Sequence, residues 1–321
     1  MMNQGAPLRV AVIGAGAVGA VYARHIKRAG AHLTFVVRPK YVDEVKRGIR
    51  MYGGSERDSG GELLVADDVV GDVEALRGRP LEQVWICLPS TGLDDAGLEK
   101  IAAATGDALV VDLAPGLDQR SLRIVGRDRL VDGLIPFIAY QTPLPNVPAE
   151  AARAPGIAFW LPPFIPTTLS GPRAELARDV IARGGMNARV VDDVEQSRAI
   201  GSALLMGVIA TLELSQWSLA ACRVRLDGAV REAVDAMAKK HGARAWLPKL
   251  VASPWLLRIA LLVAPRLAPL PLERYLAYHF TKVGAQTRVM MHGYLAAADD
   301  EGVEAPHLRA LVAALPPHNH A

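Results

Sequence analysis

Val10-Ala11-Val12-Ile13-Gly14-Ala15-Gly16-Ala17-Val18-Gly19 decides how the first half of this 321-residue chain is read. A short apolar run, Leu8 to Ile13, ends on Gly14, and Gly14, Gly16 and Gly19 keep a G-x-G-x-x-G spacing. Ala17 to Ala29 reads as a helix, so the glycines fall on a strand-to-helix turn. Gly14 permits the tight turn, Gly16 lets the backbone approach a pyrophosphate, and Gly19 lets the helix pack close to the sheet. The first helical residues, Ala17 and Val18, bring free N–H groups and the positive end of the helix dipole to the phosphates. The pattern predicts a dinucleotide site. The plainer alternative is a glycine-rich turn with no ligand.

His32 to Val37 is the next apolar run and reads as the second strand of the same βαβ unit. A site for NAD places an acid near its end, about 20 residues past the glycines, for the ribose 2′-OH. Here the strand ends in Val37-Arg38-Pro39-Lys40, and the first acid is Asp43. A cation there suits a 2′-phosphate, which an arginine fork grips with two hydrogen bonds. Arg38 and Lys40 therefore point to NADP(H); as ordinary solvated charges they would say nothing.

Further strand-like runs follow at Leu63 to Ala66, Gln83 to Leu88, Ala108 to Leu113, Arg129 to Ile135, Ile157 to Leu161 and Ala188 to Val191. Their alternation with helical segments predicts a Rossmann-type α/β domain, a mostly parallel sheet with helices on both faces, over residues 1–191. Ligands of such sheets sit beyond the carboxyl ends of the strands. Two strand ends stand out, Leu88-Pro89-Ser90-Thr91-Gly92 and Leu113-Ala114-Pro115-Gly116-Leu117. As cofactor-lining turns, Leu88, Pro89, Ser90, Pro115 and Gly116 would meet the nicotinamide ribose; as turns alone they need no ligand.

From residue 192 the pattern turns helical, with long segments at Glu195 to Ala221, Asp227 to His241 and Glu273 to Asp300. Residues 192–321 are expected to form an all-helical substrate or dimerisation domain. Trp246 to Leu272 is very apolar yet carries five prolines, Arg258 and Arg266. The prolines are expected to break any membrane-spanning helix there. Three readings stay open: a buried short-helix cap or dimer interface, a wall for a lipophilic substrate, or peripheral contact with a membrane.

Composition narrows the classes. The net charge is +3, with cations scattered rather than clustered among aromatics, which argues against nucleic acid. Two distant cysteines, Cys87 and Cys222, and the lack of a basic, apolar leader suggest a reduced, cytoplasmic protein. His318-Asn319-His320 could suggest a metal, but two histidines on a tail make a poor site, so no metal is expected.

With Gly14 to Gly19, Val37-Arg38-Pro39, an all-helical second half and Gly284 to Tyr294 ending in His292-Gly293-Tyr294, the chain resembles the ketopantoate reductase family. The resemblance implies NADPH-dependent reduction of a 2-oxo acid in a cleft between two domains, often by a homodimer. It also implies a lysine opening the first long helix of the second domain, with asparagines four and eight residues later. Here that row holds Arg198, Ser202 and Met206, on one helix face by its spacing. The family's glutamate would fall at Thr287 or Arg288, so that acid is absent; its lysine after the fourth strand is replaced in Pro89-Ser90-Thr91, and its asparagine by Pro115.

Reduction of a carbonyl leaves an alkoxide, which needs a cation or donor at once and then a proton. Arg198 keeps its charge and is a poor acid, so it would clamp a carboxylate or polarise the carbonyl. Proton donors are sought on the later helix, where Tyr275, His279, Lys282 and Gln286 recur at i, i+4, i+7 and i+11, with Tyr278 and His292 as weaker choices. The catalytic candidates are Arg198, Ser202, His279 and Lys282. Three functions remain: an NADP-dependent reductase of another carbonyl compound, a 2-oxo acid or a bulkier apolar ketone; a silent NADP-binding sensor or scaffold; and ketopantoate reduction by a rearranged pocket.

Overall fold

A computed structural model describes residues 6–53, 60–88, 93–113, 120–145, 154–163, 165–244, 246–268, 270–282 and 284–316, apart from the side chain of Lys282. The chain divides into two compact units: Met1–Pro143 with Val147–Val194, and Leu144–Asn146 with Glu195–Ala321.

The first unit opens with β1 (Arg9–Ile13), α1 (Ala17–Arg28), β2 (His32–Val36), α2 (Val42–Lys46), β3 (Ile49–Gly53), β4 (Glu62–Leu64) and β5 (Asp68–Val70). It continues through β6 (Gln83–Ile86), α3 (Asp95–Ala104), β7 (Leu109–Asp112), α4 (Arg120–Val125) and β8 (Leu130–Leu134). It closes with β9 (Ile138–Thr142), β10 (Gly156–Trp160), β11 (Thr167–Ser170), α5 (Ala174–Arg183) and β12 (Ala188–Val190). The main sheet runs β12-β11-β8-β7-β6-β1-β2-β5, parallel throughout except where β11 meets β8. The expected mostly parallel sheet is present.

Alternation along the central strands explains why helices cover both faces. Val10 and Val12 of β1, Leu33 and Phe35 of β2 and Trp85 of β6 enter the core beneath α1 and α5. Ala11, Ile13, Val36, Val84 and Ile86 point the other way, into a core shared with Leu98 and Ile101 of α3. Strands buried on both sides read as continuous apolar runs, which is what made them legible.

Two expected strands belong elsewhere. Leu63 to Ala66 and Ile157 to Leu161 supply β4 and β10 of a separate four-stranded sheet, β4-β3-β10-β9, in which β3 and β10 are parallel and both outer pairs antiparallel. This sheet packs on α1, where the Arg24 guanidinium lies 5.2 Å from the centre of the Phe159 ring and 2.7 Å from Glu62. β3, β5, β9 and β11 carry weak signals: β5 has three residues, and β11 reads Thr-Thr-Leu-Ser yet is wholly buried.

The second unit consists of α6 (Val194–Leu214), α7 (Leu219–Arg225), α8 (Ala229–Lys240), α9 (Trp246–Val251), α10 (Pro254–Leu267), α11 (Leu272–Lys282), α12 (Gly284–Asp300) and α13 (Pro306–Ala314). No described residue of it is in a strand. The helix expected over Glu195 to Ala221 breaks in two, because Gln216 and Trp217 take the left-handed conformation and Ser218 then caps α7. The segment expected as one helix over Glu273 to Asp300 is also two, α11 and α12. The prolines of Trp246 to Leu272 do not prevent a helix: Pro254 occupies the first turn of α10, where no N–H is needed, and Pro265 sits in its last turn.

One buried histidine ties α1 to the end of α5. His25 is 2% exposed, and its Nδ1–H donates to the Gly184 carbonyl at 2.8 Å. Its Nε2 has no hydrogen-bond partner among the described residues. Burial, against the pull of the Gly184 bond, holds its pKa below the ordinary histidine value. A lowered folded-state value means the neutral ring stabilises the fold above the unfolded value near 6.5, and that stability is lost as pH falls through it. Thermal melts should therefore drop between pH 7.5 and 5, and His25→Gln should flatten that portion of the profile.

Candidate dinucleotide site and the polar pair of the helical unit

β1 is the point where the main sheet changes direction: β2 lies on one side, β6 on the other, and the carboxyl ends of β1 and β6 form the crevice where such sheets take ligands. Gly14 stands there with φ +99°, a conformation that side chains disfavour. A Cβ on it would meet the Cys87 carbonyl and Leu88 Cδ2, each at 2.9 Å. Gly19 is tighter, since its Cβ would fall 1.9 Å from the Gly14 carbonyl oxygen. Gly16 differs from both. It is exposed, and a Cβ there would meet nothing within 4 Å.

That open space lies before the first turn of α1. Gly16 caps the helix with extended backbone, no side chain accepts from the turn, and no acid stands in it. The first intrahelical bond runs from Ala20 N to Gly16 O, so the N–H groups of Ala17, Val18 and Gly19 are free of the helix's own carbonyls. A diphosphate bridge fits such a terminus, and a residue larger than glycine at position 16 would intrude on it.

Arg38 and Lys40 come together at the end of β2. A short 3-10 turn, Pro39–Tyr41, sets both exposed cations against the Tyr41 ring, 5.2 and 4.9 Å from its centre. No acid follows until Asp43 and Glu44 in α2. Tyr41 is the residue that the sequence reading passes over; its signal is an aromatic directly after two cations. Leu88 lies at the glycine turn. Pro89, Ser90, Pro115 and Gly116 lie outside the described residues.

Cys87 follows β6, its N–H donating to the Ile13 carbonyl at 2.9 Å. Burial, and secondarily the Asp112 carboxylate, pushes its thiol pKa well up, so it stays protonated and serves packing. Asp112, closing β7, accepts a hydrogen bond from Ser121 Oγ.

In the helical unit, Arg198 and Ser202 are half-buried one turn apart on α6. Met206, the third member of the row, is 9% exposed and belongs to the apolar core. Ser202 donates to the Ala199 carbonyl and accepts from the Tyr294 hydroxyl, both at 2.9 Å. Tyr294 on α12 is 1% exposed, and burial pushes its phenol up to about 12, so it holds its proton at neutral pH. Thr287, Met291, Tyr294 and Ala298 are the buried row of α12. A tyrosine in such a row needs a partner for its hydroxyl, and that need was the missed signal.

Arg288 is not a vacancy for the family's acid. It pairs with Glu213 of α6 at 2.6 Å and also donates to the Gly284 carbonyl. His279 is exposed, stacked on Tyr275 with ring centres 5.5 Å apart and edge-on to Phe280. Lys282 ends α11, and its side chain lies outside the described residues. Gln286 stands on α12, so the expected four-residue polar stripe is not one helix face. His292 is exposed, and His318 and His320 lie outside the described residues.

The Ser202–Tyr294 bond gives a direct check. Tyr294→Phe should cost about 1 kcal/mol in denaturant melts. A double-mutant cycle with Ser202→Ala should return most of that as coupling.

A family model for ketopantoate reductase PanE/ApbA matches residues 10–145. The resemblance to that family holds. Among solved structures, the chain is similar to a PanE/ApbA family ketopantoate reductase from Ralstonia eutropha, with TM-score 0.63 and 19% identity over 95% of this chain and 96% of the other. It is similar to a 2-dehydropantoate 2-reductase from Methylococcus capsulatus, with TM-score 0.67 and 17% identity over 95% of each chain. A D-mandelate dehydrogenase, solved with NADH and anilino(oxo)acetate, has TM-score 0.63 and 14% identity over 95% of this chain and 96% of its own. At these identities the likeness is one of fold, a fold shared by reductases and dehydrogenases. No curated protein matches the chain by sequence.

Proposed function

We propose that this protein is an NADP-dependent reductase of 2-oxo acids. One observation carries the reading: the uncapped start of α1, with open space at Gly16, in the same unit as the Arg38–Tyr41–Lys40 cluster at the end of β2. The backbone at Gly16 to Gly19 would hold the pyrophosphate, and Arg38 and Lys40 the 2′-phosphate. When bound, the nicotinamide supplies the hydride.

The chain's own residues then manage charge and proton. A guanidinium is a two-armed hydrogen-bond donor and a poor acid, so Arg198 would grip the substrate carboxylate rather than give a proton. Ser202 would turn its hydroxyl from the Ala199 carbonyl to the substrate oxygen, give it a proton and take one from Tyr294, whose phenolate would then recover a proton from water. His279 and Lys282 on α11 are further donors in this scheme. The Ser202–Tyr294 pair is preferred because its hydrogen bond is already formed. A substrate bulkier than ketopantoate accords with the D-mandelate dehydrogenase neighbour, which was solved with anilino(oxo)acetate. Cys87 and Cys222 are both free thiols, as cytoplasmic residence would leave them.

The test is NADPH oxidation against a panel of 2-oxo acids, including ketopantoate and phenylglyoxylate, with ketones and imines beside them. Turnover is expected on 2-oxo acids, and Arg198→Ala should lower kcat/KM by about a hundredfold, the scale of a charge-assisted bond. Tight NADPH binding without turnover on any compound would put a silent sensor or scaffold in the reductase's place. Unchanged kcat/KM in Arg198→Ala would remove Arg198 from the mechanism.

A further inference from the structure

Helix α10 turns an apolar face to solvent. Trp255, Ile259, Leu262, Val263 and Leu267 recur at i, i+4, i+7, i+8 and i+12, which is one helix face. All five are exposed, Trp255 by 56% and Leu267 by 68%. The helix is anchored from its other side: Leu257 is buried, and the Arg258 guanidinium donates to the carbonyls of Arg223 and Leu226. Helix α9 adds Trp246, 71% exposed, and Leu247. So dense a group of large apolar side chains marks an interaction surface rather than ordinary scatter.

The charge of the segment that carries that face is nearly all of one sign. Lys239 to Lys282 contains eight Lys and Arg and a single acid, Glu273, whose carboxylate accepts from the Leu219 N–H. Lys249 is paired with Asp235 of α8. Arg244, Arg266 and Arg274 are exposed and form no ion pair among the described residues. A second copy docked here about a two-fold axis would bring the same arginines together, with Asp235 and Glu273 already engaged by Lys249 and the Leu219 N–H. An anionic lipid surface answers both features, with apolar side chains at the acyl boundary, tryptophans at headgroup depth and arginines at the phosphates.

We propose that α9 and α10 seat this protein on the surface of an anionic bilayer. The attachment is peripheral. At 14 residues α10 is too short to span, and α6, the one described helix long and apolar enough to cross, has half of its apolar window buried. The proposal is independent of the reaction catalysed.

Co-sedimentation with vesicles of phosphatidylcholine alone, and of phosphatidylcholine mixed with phosphatidylserine, tests it. The full chain should bind the mixed vesicles at least about tenfold more tightly and lose that preference in high salt. Trp255→Glu with Leu262→Glu should abolish binding while leaving the thermal melt unchanged, since both side chains face solvent. No binding to either vesicle, or undiminished binding by the double variant, would overturn the proposal. So would a dimer in sedimentation equilibrium that the double variant breaks while neither protein binds vesicles, an outcome that gives the face to a second copy.

Discussion

Gly19→Ala should destabilise the first unit by about 3 kcal/mol, the upper range for overpacking, and lower Tm by about 10 °C. Its Cβ would fall 1.9 Å from the Gly14 carbonyl oxygen. The obstacle is backbone in a tight turn, not the end of a flexible side chain, so α1 has to move away from β1. Dinucleotide binding should go with it, because the same shift displaces the N–H groups of Ala17 and Val18. Differential scanning calorimetry and an NADPH titration check the two halves. A variant that melts like the parent would mean that the close approach of α1 to the Gly14 turn is not a constraint.

Arg38→Asp should reverse the cofactor preference. The guanidinium is exposed beside Tyr41 and Lys40, so its removal leaves no buried group unpaired and should leave stability within about 0.5 kcal/mol. Losing a charge-assisted bond to a 2′-phosphate costs about 1.5–3 kcal/mol, and the new carboxylate adds repulsion. NADPH affinity should therefore fall by about a hundredfold or more. NADH lacks the 2′-phosphate and should bind about as before, or better if the introduced carboxylate reaches the ribose hydroxyls. Equal losses for the two cofactors would undo the assignment of Arg38.

The glycine turn was legible because each glycine answers a local demand that spacing alone expresses. The buried parallel strands were legible as apolar runs. The second sheet was not: β4 and β10 look like any short apolar segments, and only pairing across more than a hundred residues places β10 beside β3. The break at Gln216 and Trp217 was hidden because neither residue type favours the left-handed conformation it takes. In the helical unit, i, i+4 spacing put Arg198 and Ser202 on one face but said nothing of what packs against it. Tyr294 and the Glu213–Arg288 pair come from contacts between α6 and α12, which no local pattern encodes.

Gly16 is the position at which a dinucleotide site at the start of α1 can be tested without disturbing the fold. Its backbone angles suit any residue, and an added side chain there meets no protein atom within 4 Å. An NADPH titration of Gly16→Val beside the parent, with melting curves on both, is the measurement. The predicted result is an unchanged melt with NADPH binding lost. A Gly16→Val protein that binds NADPH as the parent does would contradict the claim.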